Sequence, residues 1–416
     1  MLYSAIAIAL QNISEVPRVQ KADLVASLLA GIEVRMLCPV VRLLLGELWP
    51  PWEVREMGTG PKALMSALTE VSEEDVPSLE EGLIEMGAVA EAAMLRKGQH
   101  PLSRDPLQAL SVYKRLRHIS RMRGLDSEHR KNAVLRGLFL EASPLEGKYI
   151  ARTALCNMLA GIGPKTMISA ISQAFHCHHL EVQRAYNIMP DLGSIACAAY
   201  NKELDEIELQ PSIPIRPMII RHGDAVVPGA YLPRYSGLRV QVHKRNGDIF
   251  IFTNRLKNIT SVLNSLSLPL SEIDGNFVID ADLIGFLGEK ICSQAEMVRY
   301  INRRRLSRKS RVSPAILAYD LIYRNSVDLT GLAYVKRHDK LLEAFGEPKV
   351  IPFSGISPVE DRCLWERDAV DDFLHQVLKA GGKGLIAHNF EAAYFPGACS
   401  NQDFFIGAKE TVAAVR

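Results

Sequence analysis

Arg234-Tyr235-Ser236-Gly237-Leu238-Arg239-Val240-Gln241-Val242-His243 is the stretch on which the fold of this chain turns. It runs into an alternation of apolar and polar residues, and a short apolar run, Ile249-Phe250-Ile251-Phe252, follows. Between the two, Asn246-Gly247 marks a β-hairpin, because the favoured two-residue turn needs positive φ at both central positions. A sheet therefore starts here. Phe277-Val278-Ile279-Asp280-Ala281-Asp282-Leu283-Ile284 extends it, and the period of two puts Asp280 and Asp282 on one face of one strand.

Upstream the period changes. Apolar residues recur at spacings of three and four in Ala22 to Leu29 and again from Tyr149 to Leu159, and strand signals are nearly absent up to about Asn201. The stretch from Glu203 to Pro217 is charged and then proline-rich, with too little apolar content to form an element. The expected organisation is α+β: an all-α domain over 1–204, a linker over 205–213 and a mixed α/β domain over 214–416.

Composition narrows the class. With 48% hydrophobic and 23% charged residues in 416, the chain is ordinary for a soluble globular protein, and a net charge of +2 leaves room for a basic face balanced elsewhere. No apolar run approaches the length of about 20 residues that crosses a bilayer. Met1 to Leu10 is apolar but lacks a basic leader, so a buried first helix is expected there, not a signal peptide. Seven cysteines, an odd number without Cys-x-x-Cys spacing, read as reduced thiols of a cytoplasmic protein. His176-Cys177-His178-His179 invites a metal, but adjacent residues rarely converge on one tetrahedral ion, and no metal site is expected.

One short pattern occurs twice in the helical half: Gly58-Thr59-Gly60-Pro61-Lys62 and Gly161-Ile162-Gly163-Pro164-Lys165, each opening an apolar helical run. Glycine permits positive φ, proline suits the first helical turn, and the free N–H groups of a helix N-terminus favour an anion. Lys62 and Lys165 add a charge at that point. Two such loops suit a pseudo-symmetric grip on the phosphates of a duplex. A dense basic run from Arg299 to Arg311 is either a solvated helix face or a further grip on phosphate.

These segments resemble the ATP-dependent DNA ligases of archaeal and eukaryotic type. Tyr235, Gly237 and Arg239 match the ligase pattern Lys-Tyr-Asp-Gly-x-Arg, with Arg234 standing at the lysine and Ser236 at the aspartate. Gly46 to Glu53 and Glu146 to Leu155 are similar to segments of the ligase N-terminal DNA-binding domain. The resemblance implies that this half binds double-stranded or nicked DNA through Arg152, Gly161, Gly163, Lys165 and Thr166. It also implies a nucleotidyltransferase domain of the adenylation type, similar to the ATP-grasp fold, in the second half. There Arg239, Asp282 and Tyr319 stand at cofactor-binding positions, and Leu232, Asn254, Lys383 and His388 stand at such positions with altered chemistry. ATP and Mg²⁺ are the implied cofactors if nucleotide binding is retained, and the OB-fold with which a ligase continues is expected to be absent.

The altered positions decide the expected activity. A lysine nucleophile must lose its proton before it attacks a phosphate, whereas a guanidinium with a pKa of roughly 13 is neutral at pH 7 less than about once in a million, a cost of about 8 kcal/mol. Arg234 can hold a phosphate but is a poor acceptor of an adenylate. The expectation is a DNA-binding member of the ligase family without self-adenylylation, associated with the nucleoid and acting beside a replication or repair protein or an active ligase. The alternative is a divergent nick-sealing enzyme that uses another lysine, such as Lys244, with an OB-fold supplied in trans.

Overall fold

The computed structural model describes residues 1–53, 55, 57–72, 76, 85–98, 105–302 and 311–407. Most of the basic run, 303–310, lies outside the described residues. The chain divides into two compact units: Met1–Tyr186 with Asp191–Ile207, and Asn187–Pro190 with Glu208–Arg416.

In the first unit the described residues form helices α1 (Tyr3–Glu15), α2 (Arg18–Ala30), α3 (Val34–Leu45), α4 (Pro61–Thr69), α5 (Met86–Leu95), α6 (Ala109–Ile119), α7 (Ser127–Glu141), α8 (Pro144–Ala154), α9 (Pro164–Phe175), α10 (His179–Ile188) and α11 (Leu192–Asn201). The apolar first residues form the buried helix α1, with Ile6, Ala7, Leu10 and Ile13 facing inward. Helices pack in pairs: α5 on α8, α2 on α9, α3 on α11 and α4 on α7. Helix α8 starts where it does because Ser143 and Glu146 cap it reciprocally and Pro144 presets its first turn. A buried ion pair ties α3 to the start of α11: the Arg42 guanidinium reaches Asp191 at 2.6 and 3.1 Å and the Tyr113 hydroxyl at 2.9 Å.

The second unit is two sheets face to face. The larger holds β3 (Leu238–Arg245), β4 (Asp248–Thr253), β5 (Phe277–Leu287), β7 (Ser313–Arg324) and β8 (Val327–Asp328) in the order β4-β3-β5-β7-β8, with β6 (Lys290–Ile291) on β5 and β9 (Gly355–Pro358) on β7. The smaller has the order β1-β12-β11-β2-β10, from β1 (Ile219–His222), β2 (Gly229–Arg234), β10 (Arg362–Leu364), β11 (Gly384–His388) and β12 (Cys399–Gly407). Helices α12 (Ser267–Ser271), α13 (Gln294–Ile301), α14 (Tyr334–Phe345) and α15 (Arg367–Lys379) complete the unit.

Alternation along the strands assigns each residue to a layer. Val240, Val242, Ile279, Ala281, Leu283, Ile316 and Ala318 enter the outer core of the larger sheet, beside Met297 of α13 and Leu341 of α14. The opposite faces meet between the sheets, where Leu232 and Ile386 pack on Ile284, Phe286, Leu317 and Tyr319. Behind the smaller sheet, Val370, Phe373 and Val377 of α15 cover Tyr231, Leu385 and Ala387. The hairpin turns at Asn246 (φ 51°) and Gly247 (φ 89°), as the turn chemistry predicts.

The stretch read as a linker runs into a covering strap. Ser212 to Met218 folds over the polar face of β3, where Gln241 exchanges two hydrogen bonds with the Ile215 backbone (2.6 and 3.1 Å) and the Ser212 N–H donates to His243 Nδ1 at 3.3 Å. His243 is fully buried, and burial pushes its pKa down to about 3.

Candidate functional site

Arg234 ends β2 and Arg239 is the second residue of β3, and both reach the gap between the sheets. They line one small cavity with Asp280 and Asp282 of β5, Tyr319 and Asp320 of β7, Ile386 and His388 of β11, and Met218, Ile220 and Tyr394. Its volume is about 20 Å³. That is room for about one water, whereas pockets for drug-sized ligands run to about 300 Å³ or more.

Internal ion pairs fill the gap. Arg239 donates to both oxygens of Asp280, one at 2.9 Å, and to the Met218 carbonyl at 2.7 Å. The Tyr394 hydroxyl donates to Asp280 at 2.8 Å while accepting from the Met218 N–H at 3.1 Å. Burial works against the Arg239 charge, but Asp280 outweighs it and the pKa is raised. A second fork joins the fully buried Arg337 of α14 to Asp320, with two bonds of 2.8 Å, and Arg337 also donates to the carbonyls of Leu332 and Ala392. Asp320 turns toward this partner because β7 carries an extra residue there: Asp280 pairs with Asp320 and Ala281 with Ala318, so Tyr319 is bulged.

Asp282 is left with less. It is 2% exposed, and its Oδ2 has no hydrogen-bond partner among the described residues. The nearest cation is Arg234, whose Nε stands 3.6 Å away and whose side chain is 30% exposed. Burial raises the Asp282 pKa, and Arg234 and Arg239 oppose that rise. Tyr319 is held with its hydroxyl 3.5 Å from the Pro233 carbonyl, and burial followed by the Asp282 charge raises its pKa well above the ordinary tyrosine value.

His388 is coupled to a residue that sequence reasoning missed. Its Nδ1 lies 2.9 Å from Oδ1 of Asp403, its register partner on β12. Asp403 is fully buried, also accepts from Ser400 Oγ at 2.6 Å, and has a lowered pKa: burial pushes it up, but the His388 bond and charge win. An ionised carboxylate only accepts, so His388 donates to it from Nδ1. Tyr334 stacks on the ring at 4.3 Å with planes 12° apart.

The other expected positions lie elsewhere. Leu232 is a fully buried core residue. Asn254 is exposed, with its backbone N–H on the Arg239 carbonyl. Lys383 is exposed beside Arg234, and only its backbone N–H, 2.7 Å from the Arg234 carbonyl, joins the two. Lys244, the alternative nucleophile, is buried and gives its ammonium to the carbonyls of Ser271 and Ile273, away from the cavity. Among the described residues no lysine lines the cavity. The residues present do not fit ATP with Mg²⁺: the space admits a water, the nucleophile position is a guanidinium, and a cation, Lys383, stands where a metal carboxylate is implied.

The two glycine loops of the helical unit have the same backbone. Gly58 and Gly161 have φ of 59° and 68°. Gly60 and Gly163 cap the following helices at φ −111°, ψ −178° and φ −112°, ψ 176°. Each first glycine faces a lysine from another helix: Lys131 of α7 bonds the Met57 and Gly58 carbonyls at 3.2 Å, and Lys21 of α2 bonds the Ala160 carbonyl at 2.7 Å. Lys62 and Lys165 are exposed, and Thr166 is half-buried. The first loop opens on a surface cleft of about 900 Å³, shared with Ser127, His129 and Lys131 of α7. Arg152 is otherwise engaged, bonded to Glu85 at 2.7 Å with its side chain 11% exposed.

A two-sheet unit with these strand ends, preceded by an all-helical unit, defines a chain of the adenylation-type nucleotidyltransferase class joined to a helical domain. The family comparison is more specific. The model described as DNA ligase N terminus matches residues 2–172, and that described as ATP dependent DNA ligase domain matches 229–403. The chain belongs to the ATP-dependent DNA ligase family. It is 30% identical over 385 residues to a DNA ligase of Pyrobaculum arsenaticum, covering 86% of this chain and 64% of that one. It is 27% identical over 400 residues to a DNA ligase of Thermococcus fumicolans, covering 91% and 70%. The chain thus spans about two thirds of the length of these relatives. A solved structure described as Pmar-Lig_Pre aligns over 97% of this chain and 77% of its own, with a TM-score of 0.51 and 12% identity, a likeness of fold alone.

Proposed function

We propose that this chain binds nicked or intact duplex DNA through its helical unit, takes no adenylate from ATP, and serves an accessory role in DNA replication or repair. One observation carries the proposal: the nucleophile position holds Arg234, beside Asp282 in a cavity that none of the described lysines lines. The paired glycine loops with exposed Lys62 and Lys165 support the DNA-binding half of the reading, as does membership of a family whose curated relatives are named DNA ligase.

The test has two parts. Gel shifts at low salt should retard both nicked and intact duplex, and their absence would refute the DNA-binding reading. Incubation with α-labelled ATP and Mg²⁺ should leave the chain unlabelled after denaturation. A second reading, a nick-sealing enzyme completed by a domain from another chain, rests on the names of those relatives; a covalent AMP adduct on any residue would favour it.

A further inference from the structure

The edge of the smaller sheet carries a surface that the DNA-binding reading does not use. Among the described residues strand β10 pairs only with β2, and the residue that follows it, Trp365, is 68% exposed. Its ring is 5.7 Å from that of Phe390 at a tilt of 53°, so the indole is backed on one side by a partly buried aromatic. Burying a large aromatic side chain is favourable, and tryptophan is enriched among the residues that anchor protein interfaces.

The charge around it is mostly negative. Between positions 360 and 372 the chain has six acids, Glu360, Asp361, Glu366, Asp368, Asp371 and Asp372, against two arginines. Arg362 lies over the Phe373 ring at 4.3 Å, bonds Gln376 at 3.2 Å and pairs with Glu360 at 3.6 Å, Asp361 stands 3.2 Å from His338, and Arg367 stands 3.7 Å from Asp224, which leaves the acids in excess. Glu360, Glu366 and Asp368 are exposed. Neighbouring groups register the field, since after burial the next cause of the raised pKa is Glu360 for Tyr235 and Asp361 for the Cys363 thiol.

Such a surface repels phosphate and suits a cation over the indole face, where a guanidinium or ammonium is attracted by the ring quadrupole. We propose that Trp365 and its flanking acids form a docking site for an arginine- or lysine-bearing segment of a partner protein. The indole supplies the anchor, Glu366 and Asp368 supply the counter-charges, and the short edge strand bounds the site.

The probe is a short fluorescein-labelled oligo-arginine peptide titrated against the full chain at low salt, with anisotropy as the readout. The expected result is saturable binding that weakens about tenfold in Trp365→Ala, survives largely in Trp365→Phe, and weakens again in Glu366→Gln/Asp368→Asn, while an oligo-glutamate peptide does not bind. Circular dichroism of each variant should match the parent, since the side chains are exposed. Equal peptide affinity in Trp365→Ala would overturn the proposal, as would sedimentation showing that Trp365 instead holds two copies of this chain together. Duplex affinity is measured beside it and should be unchanged in Trp365→Ala, so failure here leaves the DNA-binding reading standing.

Discussion

Restoring a lysine at position 234 should not restore self-adenylylation. Arg234→Lys removes the protonation deficit of about 8 kcal/mol, because a lysine can be brought toward neutrality by its surroundings. The space remains closed. The cavity of about 20 Å³ must grow more than tenfold to reach the size of a typical ligand pocket, and its lining includes Arg239, forked onto Asp280, which Tyr394 braces. Separating a buried pair costs about 3–5 kcal/mol, which lowers occupancy by roughly two to three and a half orders of magnitude. The assay is α-labelled ATP with Mg²⁺, followed by denaturing electrophoresis, run beside an active ligase relative. Label on Arg234→Lys should stay at least about a hundredfold below that control, and adding Lys383→Glu and His388→Lys should raise it above the single variant. Stoichiometric labelling of Arg234→Lys alone would refute the reasoning, since it would mean the ion pairs open at little cost.

Arg337→Met should strand Asp320 without its partner and destabilise the α/β unit by about 3–5 kcal/mol, a fall of roughly 6–20 °C in its calorimetric transition; an unshifted transition would contradict it. His243, held near pKa 3 against an ordinary 6.5, stays neutral in the fold while the unfolded chain takes up a proton. Its contribution is therefore complete above about pH 6.5 and lost as pH falls toward about 3, by up to about 1.4 kcal/mol per pH unit, and urea midpoints of His243→Gln should decline less over that window. Lys62→Ala/Lys165→Ala should weaken duplex binding and flatten the log–log salt dependence by about 0.9 for each phosphate that is no longer neutralised. An unchanged slope in anisotropy titrations would remove both lysines from the DNA face.

Periodicity made the architecture legible. The change from a period near 3.6 to a period of two marks the passage from helices to sheets, and the Asn246-Gly247 turn and the shared face of Asp280 and Asp282 follow from local chemistry that tertiary packing does not override. What the site does with those residues was not legible. Nothing local says that Arg239 would choose Asp280 over Asp282, its register partner, because the choice depends on Tyr394 and Met218, more than a hundred and about twenty residues away along the chain. Asp403 is invisible for the same reason: it matters only because β11 and β12 set it opposite His388. Trp365 needed the topology, since an apolar residue in sequence reads as core until the strand before it proves to be an edge.

Proteins that clamp a metabolite are steadied by it, gaining stability with the logarithm of its concentration over the dissociation constant. On the proposed reading, a cleft held by Arg239 on Asp280 and by His388 on Asp403 has no such dependence, and added ATP should leave its thermal midpoint unmoved. Its steadiness then comes from ion pairs the chain supplies itself and not from a metabolite.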